Sequence, residues 1–334
     1  MIISKTPFRV SLFGGGTDLP EYIQAQNDGM CVGLAINKYC YIFFRHGNNL
    51  MNYNYRLAYS KIEFTDSINE IDHPTVRNSA KFYKHLTPFD LLHNGDLPAK
   101  SGLGSSSSFT VGLSLILRKL QSRNIDPYNL AKDAIFIEQK LNKENVGYQD
   151  QIFAAYGGIN SIKFDKKNFF VNQKKISPNM KKKIENSLVL IFTGKTRIAS
   201  TIEQDKRKNV KKKIRYLDEI LKIAKEFNHN LDDGNYDIKK VAEMLDYSWQ
   251  CKRELSNSVS NKKIDELYDH SKKMGALGGK VIGAGGGGFL LLIVEPKNRI
   301  KIMKKLKEHK PIEIKISEQG SEIVAHEKSD YLAY

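Results

Sequence analysis

Gly102, Gly104 and the four serines Ser105 to Ser108, within the segment Asp96 to Leu120 (DLPAKSGLGSSSSFTVGLSLILRKL), form the stretch of this chain best suited to hold phosphate. Glycine lets backbone N–H groups approach a ligand closely, and a helix that follows points unpaired N–H groups and a positive dipole end at an anion. Serine hydroxyls there can donate to phosphate oxygens or ligate Mg²⁺. Apolar residues Phe109, Val111, Leu113, Ile116, Leu117 and Leu120 predict a largely buried helix over 106–120, which a flexible Gly/Ser linker would not run into. The chemistry that wants this arrangement is nucleotide phosphate binding. A second segment, Pro7 to Asp18 (PFRVSLFGGGTD), alternates as a strand carrying Arg9, bends at Gly14–Gly16 and presents Thr17 and Asp18. It suits a polyol and phosphate site, although Asp after Thr also caps helices. The third constellation is Glu138 and Asp150, twelve residues apart. Glu138 interrupts an apolar helix face, and Asp150 lies between Gly147 and the apolar run Ile152 to Ala155. Read alone, such acids are usually surface residues or caps.

Two further glycine segments do not carry the motifs they mimic. Gly194-Lys195-Thr196 looks like the end of a P-loop, but the first glycine that motif needs falls at Val189. The run from Gly283 to Gly288 matches GxGxxG, yet the strand-like FLLLIV follows it where a dinucleotide site needs a helix. It reads instead as a tight turn beside a buried strand. The eight histidines show no metal-ligand spacing. Three cysteines (Cys31, Cys40, Cys251) make neither a disulfide framework nor a thiolate zinc site, and they read as buried free thiols.

These residues must be positioned by a mixture of strands and helices. Segments 29–44, 159–164, 188–193, 289–294 and 312–316 read as strands; 129–141, 208–228, 237–255, 261–274 and a lysine-studded segment near 297–308 read as helices. The basic, polar stretch 165–187 marks a boundary, so the expectation is an α+β chain of two domains, 1–170 and 171–334. With 334 residues, 40% hydrophobic and 27% charged, the composition excludes wholesale disorder. No apolar leader is evident and no apolar run is long enough to span a bilayer, so a cytoplasmic protein without a membrane partner is expected. The formal charge of +16 attracts anions of any kind. A nucleic-acid partner is not expected, since the lysines are dispersed and no nucleic-acid-binding signature is present.

Taken in order, Pro7–Asp18, Pro98–Ser107 and Gly279–Phe289 resemble the three motifs of the galactokinase, homoserine kinase, mevalonate kinase and phosphomevalonate kinase (GHMP) superfamily, over essentially the whole chain. FGGGTDLP, the YQDQ and AAYGG segment, and TGKTR look most like the D-glycero-D-manno-heptose 7-phosphate 1-kinases of that superfamily, with fucokinase-type kinases similar. The resemblance implies an N-terminal half like ribosomal protein S5 domain 2, a ferredoxin-like C-terminal half, and an active site between them. It implies that Lys100, Ser101, Gly102, Leu103, Gly104, Ser105, Ser106 and Ser107 wrap the phosphates of ATP. Ser106 and Glu138 would ligate Mg²⁺, Asp150 would be the catalytic aspartate, and Arg9 would sit near the transferring phosphoryl group. Galactokinases carry Glu-His where this chain has Gly15 and Gly16, which argues against galactose and leaves room for a larger sugar. Gly15, Gly16, Thr17 and Asp18 would bind the sugar, and Arg197, a bidentate phosphate donor, would take a 7-phosphate. The implied activity is ATP-dependent phosphorylation of the anomeric hydroxyl of D-glycero-D-manno-heptose 7-phosphate, toward nucleotide-activated heptose for surface glycans. A 1-kinase of a free sugar such as fucose is the first alternative and a basic nucleic-acid-binding protein the second, and a homodimer is compatible with either kinase.

Overall fold

The computed structural model describes residues 1–47, 50–194 and 199–327, except for the side chains at 199–201, 203, 206, 208 and 209. The first half runs β1 (Ile2–Phe13), α1 (Pro20–Gln26), β2 (Gly29–His46), β3 (Tyr55–Ala58), β4 (Ile62–Thr65), α2 (Pro74–Phe82) and β5 (Phe89–Gly95). Then come α3 (Ser105–Leu120), α4 (Pro127–Phe136), α5 (Gln149–Tyr156), β6 (Ile159–Phe164) and β7 (Phe169–Gln173). The second half continues with α6 (Pro178–Ser187), β8 (Leu188–Phe192), α7 (Ala199–Asp232), α8 (Ile238–Arg253) and α9 (Lys262–Lys273). It ends with β9 (Gly278–Val281), β10 (Phe289–Ile293), α10 (Arg299–Lys305), β11 (Ile312–Glu313) and β12 (Glu322–His326).

The organising pair is β1 and β2, two long antiparallel strands. Pro7 has no N–H for a ladder, and the pairing register shifts between Pro7 and Phe8, where a bulge accommodates it. β2 is long because its two ends serve different neighbours: Gly29–Leu34 pairs with β6 and Cys40–His46 with β5. The sheet runs β12-β1-β2-β5-β3-β4, with β6 and β7 added on β2. A second, antiparallel sheet runs β11-β8-β10-β9. Every residue of β10 (FLLLI) is buried, the pattern of a strand covered on both faces.

α3 forms because twelve of its sixteen residues find burial, against β1 and β2 on one side and α4 and α5 on the other. Its N-cap, Gly104, is left-handed at φ 72° and supplies no side-chain cap, so the first turn leaves N–H groups unpaired toward the cleft described below. The two sheets share a core in which Val10, Ile36 and Ile42 join Leu188, Leu190 and Leu291. Phe13 packs on Phe227 of α7 with ring centres 4.5 Å apart.

Sequence and structure differ at several elements. The segment 312–316 is not one strand: Ile312 and Glu313 pair with β8, whereas Ile316 bridges to Ile36 of the first sheet. The helix expected over 129–141 stops at Phe136 and gives way to one π-helical turn, Ile137–Leu141. β7 and α6 occupy the stretch 165–187 read as a boundary. β12 lies beyond residue 171 in the chain but pairs with β1, so division at 170 follows chain order and not sheet membership.

Candidate active site

Arg9 points from β1 into the junction of the two sheets. Its guanidinium grips both oxygens of Asp150, with Nε 2.7 Å from Oδ1 and Nη2 2.5 Å from Oδ2, while Nη1 donates to the carbonyl of Gly102 at 2.5 Å. One side chain therefore ties the first turn of α5 to the glycine–serine loop. A bidentate guanidinium–carboxylate pair is the geometry that fixes a carboxylate in one orientation. The backbone agrees, because the Arg9 N–H donates to Leu103 O at 3.1 Å.

Asp18 stands on the adjoining wall, nearly buried. Its carboxylate accepts from the Gly16 N–H at 3.0 Å and from the Gln149 side chain and backbone at 3.0 and 3.2 Å. Gly147 is a glycine for a reason of space, since a Cβ there would lie 2.0 Å from Asp18 Oδ2. Thr17 is placed behind the turn instead of at the cleft. It is fully buried, and its hydroxyl donates to the Gly14 and Met30 carbonyls, closing the Gly14–Gly16 bend from within.

A cleft of about 810 Å³ opens over these groups. Gly15, Gly16, Asp18, Arg9 and Asp150 line it, and so do Lys100, Gly102, Gly104, Ser105 and Ser106. The remaining residues of that loop face inward. Ser101 and Leu103 are buried, and Ser107 spends its hydroxyl on Glu138. Glu138 belongs to the π-helical turn, a rare geometry that recurs at functional sites. It is fully buried, with Oε2 accepting from Ser107 at 3.0 Å and Gln151 at 2.5 Å, while Oε1 has no partner. Burial first, and the neighbouring Glu144 second, push its carboxyl up to about 8. A fully buried carboxylate oxygen with no donor, on a side chain bonded to Ser107 next to the exposed Ser106, is what a divalent cation would complete.

The glycine run Gly283–Gly288 buttresses this loop. A Cβ at Gly283 would come 2.7 Å from Gly102 Cα, and the Phe289 N–H donates to Ser101 O at 3.1 Å. At φ 70° Gly283 also holds a conformation that other residues resist. The motif therefore works backbone to backbone, which is why it sits before a strand.

The rest of the cleft was not anticipated residue by residue. One arm is lined by Tyr59, His73, Pro74, His93, Leu97 and Phe109. His73 and His93 flank the Phe109 ring with centres 4.9 and 5.1 Å away, and each imidazole keeps one buried nitrogen without a partner. Burial holds His73 down at about 4, so it is a neutral ring near pH 7. Two lysines, Lys252 and Lys280, also line the cleft. Lys252 donates to Val281 and Gly283 carbonyls, and Lys280 to Leu12 O at 2.5 Å. Gln149 alone had a sequence signal, its place beside Asp150. Arg197 lies outside the described residues.

The profile described as the GHMP kinases N terminal domain matches residues 74–158, and GHMP kinases C terminal matches 234–312. The chain is 30% identical over 92% of its length to the D-glycero-alpha-D-manno-heptose 7-phosphate kinase of Campylobacter jejuni, and covers 93% of it. The chain belongs to the GHMP kinase family. It is an ATP-dependent sugar kinase with the two-domain α+β fold of that family. A fucokinase/GDP-fucose pyrophosphorylase of Arabidopsis thaliana is 27% identical over 66% of this chain, which covers 21% of that protein. Among solved structures, a D-glycero-D-manno-heptose 1-phosphate kinase from Bacteroides thetaiotaomicron superposes with TM-score 0.80 at 24% identity, covering 98% of this chain and 100% of the other. That likeness bears on the fold. No helix among the described residues is long and apolar enough to cross a membrane.

Proposed function

We propose that this kinase transfers the γ-phosphoryl of ATP to the anomeric hydroxyl of D-glycero-D-manno-heptose 7-phosphate, giving the 1,7-bisphosphate, a step toward nucleotide-activated heptose for surface glycans. The observation that carries the reading is the Arg9 bridge, which places an oriented carboxylate, Asp150, beside the phosphate loop and within the same cleft as Asp18. The whole-length similarity to the Campylobacter heptose 7-phosphate kinase supports the choice of sugar.

In this reading the N–H groups at the start of α3 and the hydroxyls of Ser105 and Ser106 hold the ATP phosphates, and the aromatic arm around Phe109 takes the base. Asp150 accepts the proton of the anomeric hydroxyl as the new O–P bond forms. Arg9 keeps that carboxylate in place while its positive charge faces the oxygens that gain charge. Phosphoryl transfer passes through a loose transition state, so position and charge neutralisation do most of the work. Ser106 and Glu138 would hold Mg²⁺, which when bound neutralises phosphate oxygens. Asp18, held by Gln149, orients sugar hydroxyls. Gly15 and Gly16 keep the wall low enough for a seven-carbon substrate.

The test is ADP release with MgATP across D-glycero-D-manno-heptose 7-phosphate, mannose 6-phosphate, fucose, galactose and mevalonate. Turnover confined to the heptose phosphate is the expected result. Turnover on fucose alone would replace the substrate with a free sugar, the reading that the similarity to the Arabidopsis fucokinase favours.

A further inference from the structure

Glu144 lines the cleft next to the proposed cation site and has no part in the roles set out above. It follows the π-helical turn that carries Glu138, and its backbone N–H donates to Glu138 O at 2.9 Å, which keeps the two acids on neighbouring turns. Its carboxylate is aimed by a relay of neutral amides. Asn78 donates to Asn142 Oδ1 at 2.8 Å, and Asn142 donates in turn to Glu144 Oε1 at 3.1 Å and to Thr75 Oγ1 at 3.0 Å. Among the described residues, neither Glu138 nor Glu144 pairs with a lysine or an arginine. One oxygen of the fully buried Glu138 is left without any partner.

Two carboxylates held side by side in a low-dielectric wall repel each other, and a buried charge without a counter-charge is strongly unfavourable. A positive charge arriving from the cleft that Glu144 lines would relieve this repulsion and let both acids ionise. A hard divalent cation that prefers oxygen ligands fits this donor set: two carboxylates with serine hydroxyls close by and phosphate oxygens arriving with the nucleotide. We propose that Glu144 is a second carboxylate of the cation site, so that the kinase binds a divalent ion at Glu138 and Glu144 before ATP arrives. This rests on Glu138 facing the cation, as in the proposed function.

The test is Mn²⁺ binding to the nucleotide-free protein, read from the electron paramagnetic resonance signal of free Mn²⁺, for the wild type, E138Q, E144Q and E144D. Melting curves of the metal-free variants establish that each is folded. The expected result is one Mn²⁺ bound by the wild type, at least tenfold weaker binding in both E138Q and E144Q, and partial recovery in E144D. Loss in E138Q with wild-type affinity in E144Q would overturn the role of Glu144 and leave Glu138 in place. Unchanged affinity in E138Q would remove the reading of Glu138 and this inference with it. No Mn²⁺ bound by the nucleotide-free wild type would overturn the inference too, and would mean that the two acids share a proton instead.

Discussion

Asp150 is the residue on which the proposed chemistry turns, and its replacement separates binding from turnover. D150N keeps the side-chain shape but cannot accept a proton, so kcat should fall about 10²–10⁴-fold while ATP affinity, measured by calorimetry, stays close to wild type. Weak ATP binding in that variant would count against the assignment. Gly147 offers a subtler probe, because a methyl group placed 2.0 Å from Asp18 Oδ2 must displace that carboxylate or Gln149. G147A should lower kcat/KM for the sugar by up to about 100-fold, as a misplacement near 1 Å can, with the KM for ATP little changed. Arg9, Asp18 and Asp150, which meet at the cleft, lie in segments that the sequence singled out, whereas the roles expected of Glu138 and Asp150 came from the family resemblance and not from their surroundings in the sequence. Glu144, His73, His93, Lys252 and Lys280 were not legible there. Their place in the cleft depends on contacts between segments far apart in the chain, and nothing local distinguishes Lys280 from the many surface lysines. Thr17 shows the opposite limit, since its type suits a sugar site while the bend it closes needs its hydroxyl indoors.

At the scale of elements, the meeting of two glycine segments is what aligns the phosphate loop. G283A would force a side chain onto a left-handed backbone and against Gly102. It should cost at least about 1 kcal/mol of stability by urea unfolding and raise the KM for ATP, because Gly102 is also where Arg9 anchors. The sequence revealed this run as a turn beside a buried strand, and the strands 159–164 and 188–193 fall almost where their β-branched and apolar residues put them. The π-helical turn at Ile137–Leu141 was invisible, since it arises from what Glu138 packs against and not from local propensity. β12 was missed for a related reason: EIVAH is short, half-exposed and flanked by polar residues, and only the free edge of β1 makes it a strand.

For the whole molecule, the buried histidines set a pH response independent of catalysis. Burial pushes His73 and His85 down to about 4, so between the ordinary histidine value near 6.5 and that point the unfolded chain takes up protons that the folded one refuses. Stability therefore falls as pH falls through this window, by up to about 1.4 kcal/mol per unit for each histidine. Urea midpoints measured from pH 6.5 to 4.5 should decline less steeply in H85Q than in the wild type; equal slopes would contradict the account. The charge of +16 should likewise make the KM of both anionic substrates rise with salt, through a slower encounter. The pairing of Ile2 with His326 reaches beyond substrates to the order in which the protein is made. That edge of β1 stays open on the ribosome until Glu322–His326 has been synthesised, and an unpaired edge invites pairing with other chains. The growing polypeptide thus carries an open strand edge from β1 onward, and the strand that covers it is synthesised far later.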